Sequence, residues 1–430
     1  MVKLEVEYSD KKVTPFGGMK LMKDLLDKLK IREVIESLPM PERGSNRAYY
    51  AYEIIEGFWL SIWTGASRFI HADWLRYDKV LQSIFGFKRM PSQSTYSRFF
   101  SKFNWKKNTE VFTKLNQWFF EKIKIKTVTI DLDSTVITRY GEQEGAKRGY
   151  NPRKPGRKSH HPLIAFMSQT RMVINAWMRP GNTASLSNSI NFIEETLSIL
   201  KGKKIGLIRA DSGFYSRGMM EYLESKGIRY IIAVRFYELM KWEIEQLEHW
   251  REICDGIEVN AFTYKGRRHI VVRKSIERRP KATGKELFPD TNRVGYRYSC
   301  YVTNLELSAE HIWKLYQGRA DCENRIKELK YDFGIDQFCL KSFWGTEAAF
   351  RFIMVAYNLI SLFRHIAIQS SRMSTMRTIK AYCFALGSWI QHHSNRTVLK
   401  ISLPTQKRSW MDGLFSKISC SDPPFCFSIA

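Results

Sequence analysis

A chain of 430 residues with 44% hydrophobic content can bury more than one core, which predicts two to four folding units. Its 69 Lys and Arg outnumber 43 Asp and Glu, for a formal charge of +26, far beyond what solubility needs. That surplus points to a polyanion, above all nucleic acid, and leaves a basic membrane-surface protein as the main rival.

The membrane alternative finds no signal peptide, lipidation motif or spanning helix in the sequence. The most apolar stretch, "FRFIMVAYNLISLFRHIAI", is broken by Arg351, Asn358, Arg364 and His365 and reads as a buried core helix. Seven widely spaced cysteines without a CxxC pair predict a reducing, cytoplasmic setting, with no zinc site and no disulfide framework.

Residues 16 to about 120 read as helical and aromatic-rich, with turns at "MPERGSN" and "RMPSQST". After the second turn, Ser92 or Ser94 is placed to cap a helix carrying Tyr96, Arg98, Phe99, Phe100 and Lys102. That helix suits either a groove-reading helix-turn-helix or an amphipathic core helix with a basic edge.

Beyond Lys126 the character changes. "TVTIDLDST" predicts a buried strand, and a long basic loop follows, "RYGEQEGAKRGYNPRKPGRKSHH", whose Gly and Pro argue against regular structure. "PLIAFMS" and "MVINAWM" flank the turn "QTR" as a hairpin, and the helix in "GNTASLSNSINFIEETLSILKG" stops at Gly202. "KIGLIRADSGF" is a strand ending in an acid, "GMMEYLESKG" a short helix and "IRYIIAVR" another strand, so the class is α/β around a central sheet.

From Phe236 to about Tyr296 an inserted, mostly β subdomain is expected, with "RRPKATGKELFPDTNR" a mobile basic loop. "YSCYVTNL" then resumes the strands, and Ser308 caps one helix running to near Gly334. At about 100° per residue, with Tyr316 at zero, that helix puts Arg319, Glu323 and Lys330 near −60°, −20° and −40°. Leu315, Cys322, Ile326, Leu329 and Phe333 form the apolar face beside this stripe. Glu328 lies on another face.

Strands ending in Asp133 and Asp211, with a helical Glu323, suggest three carboxylates at one sheet edge, the donor type that hard divalent cations prefer. Each acid also has a plainer use, as a turn starter or structural ion pair. Asp131 and Asp133 share a strand face, so either could be the first ligand.

With Asp133, Asp211 and Tyr316-x2-Arg319-x3-Glu323-x6-Lys330 in view, the chain resembles the DDE transposases of bacterial insertion sequences, in the branch with a Tyr-Arg-Glu-Lys signature and a β-rich insertion before the catalytic Glu. "DLDST", "GYNPRKPGRKSHHPLIAF", "RPGNT" and "RADSGFYS" extend the resemblance over roughly residues 45 to 360. The resemblance implies a ribonuclease-H-like core in which Asp133, Asp211 and Glu323 are catalytic and bind two Mg2+, with Mn2+ able to substitute. It implies cleavage at terminal inverted repeats and joining of 3′-hydroxyls to target DNA.

Asp-Ser-Thr matches the branch's Asp-Gly-Thr pattern best at Asp133, with Asp131 the alternate. Tyr316, Arg319 and Lys330 would then contact phosphates, and Trp242 or Trp250 would stack on a base unless the β subdomain buries them. Arg148, Arg153, Lys154, Arg157 and Lys158 follow the first acidic strand and are expected to hold DNA backbone, while His160 and His161 are phosphate or structural contacts.

The expected division is a helical DNA-binding region over 1–120, core over 121–236, β-rich insertion over 237–296, core with the Glu helix over 297–365, and an oligomerisation or DNA-contact region over 366–430. The partners expected are double-stranded DNA and, in the synaptic complex, a second copy. A nuclease of the same fold without strand transfer, and a non-enzymatic DNA-binding regulator, are the alternatives.

Overall fold

The apolar run beginning at Phe343 forms the helix Phe343–Phe363, capped by Ser342, whose hydroxyl accepts from the Gly345 N–H at 3.2 Å. The segment Phe343–Ile368 has the length and hydropathy of a membrane span, but 89% of its most apolar 18-residue stretch is buried inside the protein. It is the core helix that the breaks at Arg351 and Asn358 predict. Trp59 and Trp63, on the helix Ala51–Thr64, donate their indole N–H groups to Phe352 O at 2.9 Å and Ala356 O at 3.3 Å. The Phe352 ring meets those of Phe112, Phe100 and Phe103 with centroids 4.7, 6.0 and 6.1 Å away.

The computed structural model describes residues 4–275, 295–370 and 374–427, so the basic loop expected over 278–293 lies outside the described residues. Two compact units divide the chain. The first comprises Met1–Lys124, Gly141–Glu144 and Lys327–Ser428, and the second is built from Ile125–Tyr140 and Gly145–Ile326.

In the first unit, helices Ala51–Thr64, Gln93–Phe100 and Trp105–Glu121 surround the core helix. A Cβ on Gly345 would lie 2.9 Å from Phe100 O, so glycine permits that approach. The C-terminal stretch joins the same unit: Ser388–His393 pairs with both Val13–Thr14 and Arg396–Ile401, and Phe425–Cys426 runs parallel to Ile123–Lys124.

The second unit is a nine-stranded mixed sheet. Its strands are β1 (Thr127–Ser134), β2 (Leu163–Met167), β3 (Val173–Trp177), β4 (Lys204–Ala210), β5 (Tyr230–Ala233), β6 (Arg251–Cys254), β7 (Ile257–Tyr264), β8 (Arg267–Ser275) and β9 (Tyr296–Thr303). They lie in the order β6-β7-β8-β9-β5-β4-β1-β2-β3. β1, β4 and β5 are parallel, as the helix between β4 and β5 requires, and β2 is antiparallel to both β1 and β3.

The segment expected to be a separate β subdomain instead continues this sheet as a meander. β9 pairs with β5 on one side and β8 on the other. Ile231 of β5, Leu207 of β4, Val259 of β7, and Ile270 and Val272 of β8 share one apolar cluster with Ile312. A sheet edge left at β5 would expose unpaired backbone groups, and pairing on through β9 removes that cost.

Phe352→Ala is expected to destabilise the first unit by about 3–5 kcal/mol, the usual cost of removing a buried aromatic ring. A lower urea midpoint for unfolding of that unit, followed by tryptophan fluorescence, would show it.

Candidate active site

β1 delivers two acids to one face, and the structure gives them different fates. Asp131 is fully buried, and Arg209 of β4 grips it with two bonds, Nε to Oδ1 at 2.6 Å and Nη2 to Oδ2 at 2.9 Å. Arg325 Nη1 lies 3.6 Å from Oδ2, and Arg325 Nε also donates to Asp321 at 2.9 Å. Both carboxylate oxygens of Asp131 are therefore consumed by buried guanidinium groups, the geometry of a structural ion pair.

Asp133 differs. Its Oδ1 accepts from the Ser134 N–H at 2.8 Å and lies 3.2 Å from Arg319 Nη2, and among the described residues Oδ2 has no protein partner. Asp211 follows β4 and does start a turn, accepting from the Gly213 N–H at 2.9 Å through Oδ1 alone. Glu323 stands exposed on the first turn of the helix Asp321–Tyr331, and its carboxylate makes no hydrogen bond or ion pair among the described residues.

Burial pushes the Asp133 carboxyl up to about 6; the Arg319 charge opposes that rise, and the negative charges of Asp211 and Glu323 add to it. The three acids thus share one field. Among the described residues, however, no three His, Cys, Asp or Glu side chains are gathered closely enough to hold one ion together. The donor set has the oxygen chemistry that a hard cation needs.

The signature segment is not one helix. Ala309–Gln317, capped by Ser308, gives way to a 3-10 turn at Gly318–Ala320 before Asp321–Tyr331 begins. The cause is Arg209, whose Nη1 takes the Leu315 carbonyl that an unbroken helix would offer to residue 319. A Cβ on Gly318 would lie 2.5 Å from that guanidinium, so the close approach demands glycine. A constant 100° step therefore fails across the signature, and Leu315, expected in the apolar face, is 38% exposed.

Tyr316 and Arg319 feel the charges of Asp133 and Asp211. Tyr316 donates its hydroxyl to Ala210 O at 3.3 Å, and its ring lies tilted against Tyr301 with centroids 4.3 Å apart. Arg319 is buried, donates through Nη2 to Leu132 O at 3.1 Å, and keeps a buried Nε that has no partner among the described residues. Lys330 is half-buried on the last turn of Asp321–Tyr331, in the part of the chain belonging to the first unit.

A family model described as a DDE-domain transposase, group 1, matches residues 2–421. The chain belongs to this transposase family. No curated protein matches it. Among solved structures, it is similar to the piggyBac transposase in a synaptic complex with hairpin DNA (11% identity, 87% of this chain and 82% of that chain covered, TM-score 0.47). It is also similar to the Mos1 transposase in a paired-end complex with the left transposon end (11% identity, 45% and 60% covered, TM-score 0.17).

The basic loop of this DDE-family chain is ordered by pairing that its composition hid. Lys158–His160 forms the middle strand of a three-stranded sheet with Ile137–Thr138 and Lys147–Arg148. Gly181 lets the chain cross it, since a Cβ there would lie 2.1 Å from Ser159 O. Arg148, Arg153, Lys154 and Arg157 are exposed and Lys158 half-buried, with Lys154 and Arg157 over the exposed Tyr140 ring at 5.0 and 5.9 Å.

His161 is a structural contact. Its Nδ1–H donates to Thr183 O at 2.8 Å, which leaves Nε2 to accept from the Ser134 hydroxyl at 3.2 Å, and burial lowers its pKa. His160 Nδ1 accepts from Arg139 Nε at 3.1 Å. Arg209, Arg325, Ser134 and Ser185, whose hydroxyl lies 3.1 Å from that of Ser134, were not foreseen as parts of the site. Arg209 stands two residues before Asp211 on one strand, so the shared face was a usable signal.

The two β1 acids should part company in stability measurements. Asp131→Asn strands buried cations and is expected to cost about 3–5 kcal/mol. Asp133 titrates above its unfolded value, so the native state holds its proton longer and stability falls as pH rises from about 4 to about 6, by on the order of 3 kcal/mol. Asp133→Asn should therefore be no less stable than the unmodified protein at pH 8 in metal-free buffer, with any gain gone below about pH 4. Urea unfolding at both pH values tests this.

Proposed function

We propose that this chain is the transposase of an insertion sequence, binding the terminal inverted repeats as double-stranded DNA, cleaving at the ends and joining the freed 3′-hydroxyls to target DNA. The observation that carries the reading is the open carboxylate oxygens of Asp133, Asp211 and Glu323, which share one field beside an Arg319 guanidinium with an unpartnered buried Nε. The order β3-β2-β1-β4-β5, with only β2 antiparallel to its neighbours, supports a ribonuclease-H-like core, and β6 to β8 supply the β-rich insertion before Glu323.

Asp133, Asp211 and Glu323 would hold two Mg2+, or Mn2+ in their place, and the ions, when bound, would offset charge on the scissile phosphate and favour an oxygen nucleophile. The chain's own groups do the positioning. Arg319, whose Nε has no acceptor among the described residues, is oriented by Asp133 and Leu132, and its charge favours a phosphate beside the acids. Burial raises the Tyr316 pKa, so its hydroxyl remains a neutral donor. Arg148, Arg153, Lys154, Arg157 and Lys158 would grip backbone phosphates, with Lys330 holding a further one.

Trp242, 57% exposed on Glu238–Glu245, suits base stacking, whereas Trp250 is covered by the Arg273 guanidinium at 4.2 Å and the Tyr298 ring edge. Bringing two ends together requires at least two copies of the chain, acting on DNA in the cytoplasm.

The test is incubation of purified protein with a duplex carrying the element end and a supercoiled target plasmid. Cleavage and joined product are expected with Mg2+ or Mn2+ and absent with EDTA. Asp133→Asn, Asp211→Asn and Glu323→Gln should each lower cleavage at least 10²-fold while leaving end binding within a few-fold. Full cleavage by all three variants would sink the assignment; cleavage without joining would make the protein a nuclease. Replacing Arg153, Lys154 and Arg157 with Ala should flatten the salt dependence of binding by about 0.9 for each phosphate left without its cation.

A further inference from the structure

The turns "MPERGSN" and "RMPSQST" close on one cleft of 510 Å³ in the first unit. Its cationic lining is Arg43, Arg47, Arg76, Arg89, Arg98 and Lys102, against the single carboxylate of Glu42. None of the six cations forms an ion pair among the described residues. Three are fixed instead by carbonyls and ring faces. Arg43 Nη2 donates to Asn46 O at 2.6 Å and its guanidinium lies 4.0 Å over the Tyr50 ring. Arg89 Nη2 donates to Arg47 O at 2.8 Å with its guanidinium 4.5 Å over Tyr49, and Lys102 Nζ donates to Glu42 O at 2.8 Å.

Carbonyls orient a cation without neutralising it. Six like charges around one concavity repel and focus a positive potential, an arrangement that a polyanion stabilises. The rings of the lining are poorly placed to stack on a base: the Tyr49 hydroxyl donates to Met90 O, its ring is covered by Arg89, and Phe99 is buried. The helix Gln93–Phe100 likewise turns Tyr96, Phe99 and Phe100 inward and leaves Arg98 exposed, so it offers the cleft charge and no aromatic face for stacking.

We propose that this cleft binds the sugar–phosphate backbone of duplex DNA independently of sequence, as a site separate in the chain from the acids. The identity of the ligand rests on the transposase reading; the presence of a polyanion site rests on the charges alone. Arg47 and Arg98 are the residues to change, because their side chains are exposed and make no hydrogen bond or ion pair among the described residues.

The experiment uses the full chain carrying Asp133→Asn, in EDTA, with a 30-base-pair duplex of arbitrary sequence, titrated by fluorescence anisotropy over a salt series. Arg47→Ala with Arg98→Ala should weaken binding roughly tenfold near 0.15 M salt and reduce the slope of log K against log salt by about 1.8, at unchanged thermal midpoint. Lys106→Ala with Lys114→Ala removes the same charge from exposed positions on Trp105–Glu121 and should change the slope by less than half as much. Equal effects of the two pairs, or none from the first, overturn the proposal while leaving the catalytic reading intact. Displacement of the duplex by ATP at equal phosphate concentration, abolished in Arg47→Ala with Arg98→Ala, would assign the cleft to a free nucleotide instead. Failure of the parent chain to bind any duplex would overturn both readings.

Discussion

The buried bond between Asp131 and Arg209 is the constraint on which the geometry of the second unit turns. A fully buried carboxylate is tolerable only if its charge is matched and its lone pairs are filled, and two guanidinium groups meet both conditions here. Arg209 brings β4 into register with β1, and its remaining donors reach Ser168 and the Leu315 carbonyl. Arg325 extends the lattice to Asp321, which also takes Arg171 at 2.8 Å. The first turn of the Glu323 helix is thereby tied to the strand that carries Asp133 by charges that take no part in the proposed chemistry.

This division of labour explains how two acids two residues apart can do opposite work. Asp131 has its charge satisfied from within and lends rigidity. Asp133 has its charge satisfied only in part, because one guanidinium faces three carboxylates, and the remaining imbalance is what a divalent cation would relieve. His161 and Ser134 add a neutral brace: the imidazole tautomer set by Thr183 offers Nε2 as an acceptor to the Ser134 hydroxyl, which also lies within reach of Ser185.

Much of the second unit was legible in the sequence because its strands are short, β-branched and bounded by turn residues, so β1 to β5 and the β2–β3 hairpin follow from pattern alone. The acids were legible because strand ends and signature spacing are local features. What stayed hidden depends on partners distant in sequence. Nothing near Leu315 reveals that Arg209 will take its carbonyl and break the helix, nothing in the insertion reveals that β9 must be paired on both edges, and a Gly- and Pro-rich basic run does not disclose that Lys158–His160 will find two partner strands. Likewise, nothing local to β1 discloses that Arg209 and Arg325 hold Asp131 and leave Asp133 to Arg319.

The placement of the Asp131 lattice also bears on how such genes decay. On the proposed function, a copy that loses Asp133 would still yield a folded protein able to occupy element ends without cutting them, and so would silence its active siblings in the same cell. A copy that loses Asp131 would yield little folded protein and exert no such restraint. Neighbouring codons would then experience opposite selection, one lesion producing a dominant repressor and the other a silent relic.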